Sequence, residues 1–278
     1  MPLTLVPTPI GNLEDITLRA LRVLRNADLI ACEDTRTSSI LLRRYRIAAP
    51  LVPFHLHNER VCLPRLMAAL REGRNVAVVS DAGTPGISDP GWILLRSALD
   101  EGIEADVLPG PSALLPALLL SGLMPHPFLF LGFPPEKPGV RGELFQSLSG
   151  VPWTLCFYVS PHKAERQIAE MAEVWGDRRA ALVREISKVY QESIRAPLSG
   201  LIARLGQGVK GELVLVVEGR VSKEEDDVVW RETADALRAE GATVRSVVEA
   251  VTARYPVAKN AVKAYLLRGQ EVRAEGAG

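Results

Sequence analysis

The sequence predicts an α/β protein of two lobes followed by a small helical unit. Three observations carry that prediction. Short aliphatic runs alternate with longer amphipathic stretches over most of the chain. Several of these runs, such as VAVV at Val76–Val79, are apolar at every position instead of every second one. That is the pattern of strands covered by helices on both faces, in a mostly parallel sheet. Beyond Val228 only helical patterns remain.

Taken in order, Leu3–Val6 reads as the first strand, and Leu18, Leu21 and Leu24 give one apolar helix face before Asp28. Leu29–Cys32 is a strand; Leu63, Leu66, Met67 and Leu70 mark a helix that stops before Gly73. Val76–Ser80, Phe128–Gly132, Thr154–Val159, Ala180–Glu185 and Leu213–Glu218 are further strands. Pro161–Trp175 is a helix that opens on proline and closes before Gly176. The turn LPGPSA, Leu108–Ala113, has α/β sequence on either side and reads as a hinge between lobes. The polar run SKEEDD, Ser222–Asp227, reads as a solvated linker or helix start. The expected domains are therefore 1–110, 111–221 and 228–273.

Composition narrows the function. Hydrophobic residues are 47% and charged residues 24% of the 278, so neither a disordered nor a fibrous chain is expected. Lys plus Arg number 33 and Asp plus Glu 33, so attraction to a nucleic acid must come from a local basic surface. Cys32, Cys62 and Cys156 are scattered, form no C-x-x-C pair and read as buried, which excludes a zinc ribbon or disulfide framework. The start, MPLTLVPTPIGN, lacks a charged region and an apolar core, so no signal peptide is expected. Leu114–Leu123 is too short to cross a membrane. A cytoplasmic protein with no membrane partner is expected. His55 and His57 share a face if they lie on a strand, but no third ligand is placed beside them, so no metal is expected.

Three glycine–proline loops each follow a strand: PTPIGNLEDIT (Pro7–Thr17), SDAGTPGISDPG (Ser80–Gly91) and Pro109–Ala113. Loops at the carboxyl ends of strands in an open α/β sheet are where ligands bind, and small residues let the main chain approach closely. Neither G-x-x-x-x-G-K-[ST] nor G-x-G-x-x-G occurs, which argues against a P-loop nucleotidase or a dinucleotide site. Pro85 and Pro90 remove donors from the second loop, which suits a neutral or cationic ligand at least as well as a polyphosphate.

These loops, with ACEDTR (Ala31–Arg36), HNE (His57–Glu59), LPGPSA, SGL (Ser121–Leu123), GFPP (Gly132–Pro135), REISKVYQE (Arg184–Glu192) and KGELVLVVEG (Lys210–Gly219), occur in order from Leu3 to Gly219. They resemble the ribosomal RNA small subunit methyltransferase I family of the tetrapyrrole (corrin/porphyrin) methylase superfamily. The resemblance implies two α/β lobes of the tetrapyrrole methylase type with S-adenosyl-L-methionine in the cleft between them. It also implies methylation of a cytidine ribose 2′-hydroxyl in the decoding region of 16S rRNA, free or within the 30S subunit, and a homodimer. Carried over by position, the cofactor-binding residues are Thr84, Pro85, Ile87, Ser112, Ala113, Phe157 and Gly211; the candidate substrate-binding residues are Arg36, Asn58 and Arg184 of the core segments and Lys259 and Lys263 of the basic C-terminal stretch.

A ribose hydroxyl must lose its proton, which calls for a carboxylate or a lysine of lowered pKa within reach. Asp34, Asp81, Asp89, Glu185 and Lys188 each stand at or just past a strand end. Their structural alternatives stay open: Asp89 as a helix cap, Glu33 and Asp34 with Arg36 as a turn-holding ion pair, Arg184, Glu185 and Lys188 as a solvated strand end. Toward the C-terminus, Val247, Val248 and Val251 give one helix face, and Val257, Ala261, Val262, Tyr265 and Leu266 another, joined around Tyr255 and Pro256. Arg254, Lys259, Lys263 and Arg268 make this pair basic, as an RNA-contacting helix-turn-helix or a dimerisation hairpin. Two other activities fit the core less well: a small-molecule tetrapyrrole or precorrin methylase, and a nucleic-acid-binding regulator that senses the cofactor.

Overall fold

Apolar runs separated by glycine–proline turns become two stacks of strands in the computed structural model, which describes residues 2–206, 208–220, 223–255 and 257–275. Ser222, Pro256 and the Arg268 side chain, which figure in the sequence readings above, lie outside the described residues. The chain divides into two compact units, Met1–Gly219 and Arg220–Gly278.

In the first unit, β1 (Leu3–Leu5), β2 (Leu29–Cys32), β3 (Leu51–Pro53), β4 (Val76–Val79) and β5 (Ala105–Val107) form an all-parallel sheet of order β3-β2-β4-β1-β5. Helices α1 (Leu18–Arg25) and α2 (Thr35–Arg44) cover one face, α3 (Glu59–Arg71) and α4 (Trp92–Asp100) the other. Alternation along each strand decides which residues go where: Ile30, Cys32, Ala77 and Val79 meet α1 and α2, while Leu29, Ala31, Val76 and Val78 meet α3 and α4. Leu21 and Leu24 face the core as the periodicity predicts, but Leu18, at the first turn of α1, is 85% exposed.

After α5 (Leu114–Ser121), a second sheet is built from β6 (Phe128–Phe130), β7 (Thr154–Val159), β8 (Arg179–Arg184), β9 (Glu192–Pro197) and β10 (Leu213–Val217), in the order β6-β7-β10-β8-β9. This sheet corrects the expectation of mostly parallel pairing: only β6 and β7 run parallel, while β10 is antiparallel to β7 and β8, and β8 to β9. β8 and β9 are joined by a short loop, and a short connection permits only the antiparallel sense. Helices α6 (Pro138–Leu148), α7 (Pro161–Trp175) and α8 (Leu198–Leu205) pack on one face through Phe145, Phe157, Trp175 and Leu201. The Trp175 indole donates to the Phe145 carbonyl at 2.7 Å, so its one polar atom is satisfied within the core. The other face carries Cys156, Val214 and Val216 against α5, with Ile10 of the first loop and Tyr158 at its margin.

In the second unit, α9 (Lys223–Ala239), α10 (Val244–Arg254) and α11 (Lys259–Glu275) share a core of Trp230, Ala234, Val247, Val251, Val262 and Leu266. The polar run thus enters a helix, and the two predicted helices are joined by a third. Thr243 caps α10, its hydroxyl accepting from the Ser246 N–H at 3.2 Å. Among the described residues no helix is long and apolar enough to cross a membrane.

Candidate active site

The three glycine–proline loops leave the first sheet at the carboxyl ends of β1, β4 and β5 and are tied to one another. Thr8 and Gly83 exchange two backbone hydrogen bonds of 2.9 Å, and the Thr8 hydroxyl donates to the Ser80 carbonyl at 3.0 Å. The Thr84 hydroxyl reaches the Pro111 carbonyl at 3.4 Å. Glu59, of the HNE segment, is buried and accepts from the Gly91 N–H at 2.9 Å, fixing the far end of the second loop to α3. A cleft of about 240 Å³ opens beside these loops, lined among others by Thr8, Ile10, Thr37, Asp81, Lys188 and Glu212.

Four carboxylates converge at the ends of β2 and β4. Asp34 caps α2, its carboxylate accepting from the Arg36 N–H at 2.7 Å and gripping the Arg36 guanidinium at 2.6–3.1 Å. Those Arg36 bonds hold its pKa down at about 2, so it stays ionised. The Asp34 N–H donates to the Asp81 carboxylate at 3.1 Å. Burial, and then the Asp34 charge, push Asp81 above the ordinary aspartate range. Glu33 is raised by burial and by Asp81.

Asp89 is raised furthest, to about 7, by burial first and then by the charges of Glu33 and Asp81. It does not cap the following helix: Gly91 occupies the cap of α4, with no side-chain bond there. Ser88 holds the left-handed φ of 66°, and its hydroxyl lies against Gly132 of the second lobe. Tyr158 stands across from Asp89, raised by its burial and by the Asp89 charge, and is packed between Phe130 and Phe133 at ring distances of 4.8 and 5.5 Å.

Glu185 and Lys188 form a separate lock. Lys188 Nζ donates to Glu185 Oε1 at 2.8 Å and Glu212 Oε2 at 3.0 Å, and the Glu212 N–H donates to Glu185 at 2.9 Å. Lys188 keeps Glu185 below the ordinary glutamate range. Burial works to lower Lys188, but Glu185 and Glu212 outweigh it and leave the amine raised, hence cationic. The lock clamps the lobes together, because Ser187 donates to Asp15 and Lys188 lies over Gly11, where a Cβ would fall 2.4 Å from Lys188 Cγ.

Gly211 combines a φ of +94° with a site for Cβ only 2.4 Å from Glu185 Oε1. Gly211→Ala is expected to force Glu185 out of the lock and to cost about 1–3 kcal/mol. A lower Tm, together with weaker cofactor binding by calorimetry, checks it. An unchanged Tm would show that the carboxylate moves aside freely.

The other predicted residues are placed as follows. Thr84 is half-buried, Pro85 buried and Ile87 exposed on the second loop. Ala113 caps α5, and the Ser112 hydroxyl accepts from the Leu114 N–H at 3.3 Å. Phe157 packs in the core with Phe145 and Trp175, so only its main chain can face a ligand. Asn58 accepts from the His55 N–H at 2.7 Å and donates to the Pro53 carbonyl at 3.1 Å, holding the turn before α3. His55 and His57 lie in that turn and not on a strand. Arg184 pairs with Glu192 at 2.7 Å across β8 and β9. Arg36 is paired yet has 89% of its side chain exposed. Lys259 and Lys263 are exposed one turn apart on α11. Cys32 and Cys156 are buried, whereas Cys62 is only half-buried. Among the described residues no three His, Cys, Asp or Glu side chains are placed to hold a metal ion.

Sequence reasoning missed Tyr158 and gave Glu33 only a structural role. Alternation along β7 held the signal for Tyr158, since Phe157 and Tyr158 must face opposite ways.

A parallel sheet joined to a mixed one, with open glycine–proline loops and the Asp81 carboxylate on the cleft, is an arrangement able to hold a cationic organic ligand. Matching over residues 2–202 agrees: the chain belongs to the tetrapyrrole (corrin/porphyrin) methylases. Two solved structures share the fold. The methyltransferase CobJ aligns with a TM-score of 0.61 and 21% identity, covering 79% of this chain and 96% of that one. Uroporphyrin-III-C-methyltransferase from Thermus thermophilus aligns with 0.56 and 23%, covering 78% and 93%.

Within that class the chain belongs to the ribosomal RNA small subunit methyltransferase I family. It is 43% identical to the protein of that name from Halalkalibacterium halodurans, over 85% of this chain and 82% of the relative. With the Mesorhizobium japonicum protein it is 41% identical over 98% of this chain and 89% of the relative. The methyl donor is S-adenosyl-L-methionine. The site fits it: the loops offer main chain and small side chains to the cleft, and the Asp81 carboxylate there suits a sulfonium cation.

Proposed function

We propose that the chain methylates the ribose 2′-hydroxyl of a cytidine in the decoding region of 16S rRNA, at position 1402 in conventional numbering. The relatives' names support an rRNA substrate. The observation that carries the choice of a hydroxyl is Asp89, a half-buried carboxyl group of the second loop near Tyr158 of the other lobe, with no hydrogen-bond donor on it among the described residues and raised to about 7.

Bound S-adenosyl-L-methionine supplies a methyl group already activated by its positive sulfur. What the protein must add is alignment and a proton acceptor. Asp34, held ionised by Arg36, and Lys188, held cationic by two carboxylates, are unsuited to accept a proton at neutral pH, and so is Glu185. Asp89 is suited, because a base works best with a pKa near the working pH. Burial first, and then the charges of Glu33 and Asp81, raise it to that value, with Tyr158 of the second lobe near it. Thr84, Pro85, Ile87, Ser112, Ala113, the Phe157 main chain and Gly211 are the proposed holders of the cofactor. Lys259 and Lys263 of α11, with Arg36, Asn58 and Arg184, remain the proposed RNA contacts. The homodimer and the cytoplasmic location belong to the same reading.

The test is methyl transfer from labelled S-adenosyl-L-methionine to naked 16S rRNA and to 30S subunits lacking the modification. Label is expected on a cytidine ribose in the decoding region. Label on a base, or none in either substrate, would overturn the reading.

A further inference from the structure

Charge on the first lobe is distributed unevenly in a way the cleft does not explain. Between Leu18 and Arg46 the sequence holds seven arginines and three acidic residues, in a chain of zero net charge. Helices α1 and α2 cover the same face of the first sheet, and five of these arginines stand in or just after their last turns. Arg22, Arg25, Arg43, Arg44 and Arg46 are exposed, and among the described residues none of them pairs with a carboxylate. Arg43 donates to the Ser39 carbonyl, and Arg44 lies over the Tyr45 ring at 5.8 Å.

The segment that supplies the opposite face is balanced: residues 59–101 hold five arginines and six acidic residues, although Arg60 and Arg65 of α3 are exposed without a carboxylate partner among the described residues. There Arg71 pairs with Glu101 at 2.6 Å and Arg96 with Asp100 at 2.8 Å. Helix-dipole stabilisation accounts for a basic last turn, and α2 also has the matching acid, Asp34, at its N-cap, but α1 has no acid at its N-terminus. Arg46 adds an independent sign. It follows the cap of α2 with φ of 54°, and the Ile47 N–H closes back on the Leu42 carbonyl at 2.9 Å. Glycine is the usual residue at such a position, and here an arginine occupies it. Thr37, Ile40 and Leu41 of α2 line the cleft, and Arg43 and Arg44 follow them in the last turn of the same helix.

We propose that the outer surface of α1 and α2, carried by Arg22, Arg25, Arg43, Arg44 and Arg46, is a phosphate-binding face that holds an RNA strand alongside the cleft. This rests on the reading of rRNA as substrate, and it adds a contact surface in the first lobe to those proposed above. Guanidinium groups spread over two helices suit backbone phosphates, which position a substrate without reading its sequence.

The test uses the full chain with 30S subunits lacking the modification and with a 16S decoding-region RNA fragment. Binding is measured against salt for the wild type, for Arg22→Gln/Arg25→Gln, for Arg43→Gln/Arg44→Gln, and for Arg60→Gln/Arg65→Gln on α3 as a control. Each α1 or α2 pair is expected to weaken binding roughly tenfold and to flatten the slope of log K against log salt by about two. Cofactor binding, Tm and the control should not change. Slopes and affinities equal to wild type would overturn the proposal even if 30S methylation proceeds, leaving the rRNA reading intact. RNA binding that depends on these arginines without methylation of 30S would uphold the face and sink that reading. A wild type that binds neither probe at low salt would overturn both.

Discussion

Replacing Asp89 by asparagine is expected to lower methyl transfer by about 10²- to 10⁴-fold while cofactor affinity stays within a few-fold of wild type. Asparagine keeps the shape and the burial but cannot take a proton. In the wild type, log kcat/KM should rise with pH up to about 7 and level off above it, following ionisation of Asp89. The Asp89→Asn substitution should abolish that rise. Stability should move the other way, and its sign follows from where the proton is held. Burial raises Asp89 from 3.8 to about 7, so between these values the folded chain binds a proton that the unfolded chain has released. Stability therefore falls as pH rises through that window, and above it the ionised group opposes folding in full. Asp89→Asn should raise the Tm at pH 8, and the gain should vanish toward pH 4. A pH profile unchanged in the variant, with activity retained, would remove Asp89 from the chemistry.

Glu170→Ala is expected to produce the largest loss of stability, about 3 kcal/mol, or a Tm lower by about 6–12 °C. The Arg141 side chain is fully buried, and two of its nitrogens reach the Glu170 carboxylate at 2.5 and 2.7 Å. A third, Nη1, donates to the Pro135 and Glu136 carbonyls at 2.9 Å. Removing Glu170 leaves a buried cation with only carbonyl partners. The figure sits at the low end for a broken buried pair because Glu170 itself is 31% exposed. Arg141 holds the GFPP segment, whose Gly132 meets Ser88 beside Asp89, so activity should fall along with stability. Arg141→Met/Glu170→Ala should recover part of the loss, since no unpaired charge remains. The bond to Arg141 keeps the Glu170 pKa low. The pair's contribution is therefore complete above the ordinary glutamate range and is lost as pH falls below it. Equal melting of Glu170→Ala and wild type at pH 7 would show that the pair contributes nothing net.

Much of this protein is legible in its sequence, and the reason is locality. Strands such as β2 and β4, and the helix Pro161–Trp175, are encoded by periods of a few residues and by the proline and glycine that bound them. The three cleft loops are legible for the same reason, since a turn is set by its own residues. Edge strands escape this reading. β3 and β5 are three residues long and include Pro53 and Asp106, while β9 is half polar because one side of it has no neighbouring strand.

Strand direction in the second sheet escapes it too, because a strand buried on both faces reads the same whichever way its neighbour runs. The α/β class, the buried strands with their helices and the loops that make the cleft follow from the residues alone. Which carboxyl group there is raised toward neutral pH depends on contacts made only in the folded chain. Local spacing makes Asp89 a helix cap, whereas its pKa follows from burial beneath the second lobe and from charges on Glu33 and Asp81. Periodicity is a property of neighbours along the chain; desolvation and Coulomb fields belong to neighbours in space, and those exist only once the two sheets have met.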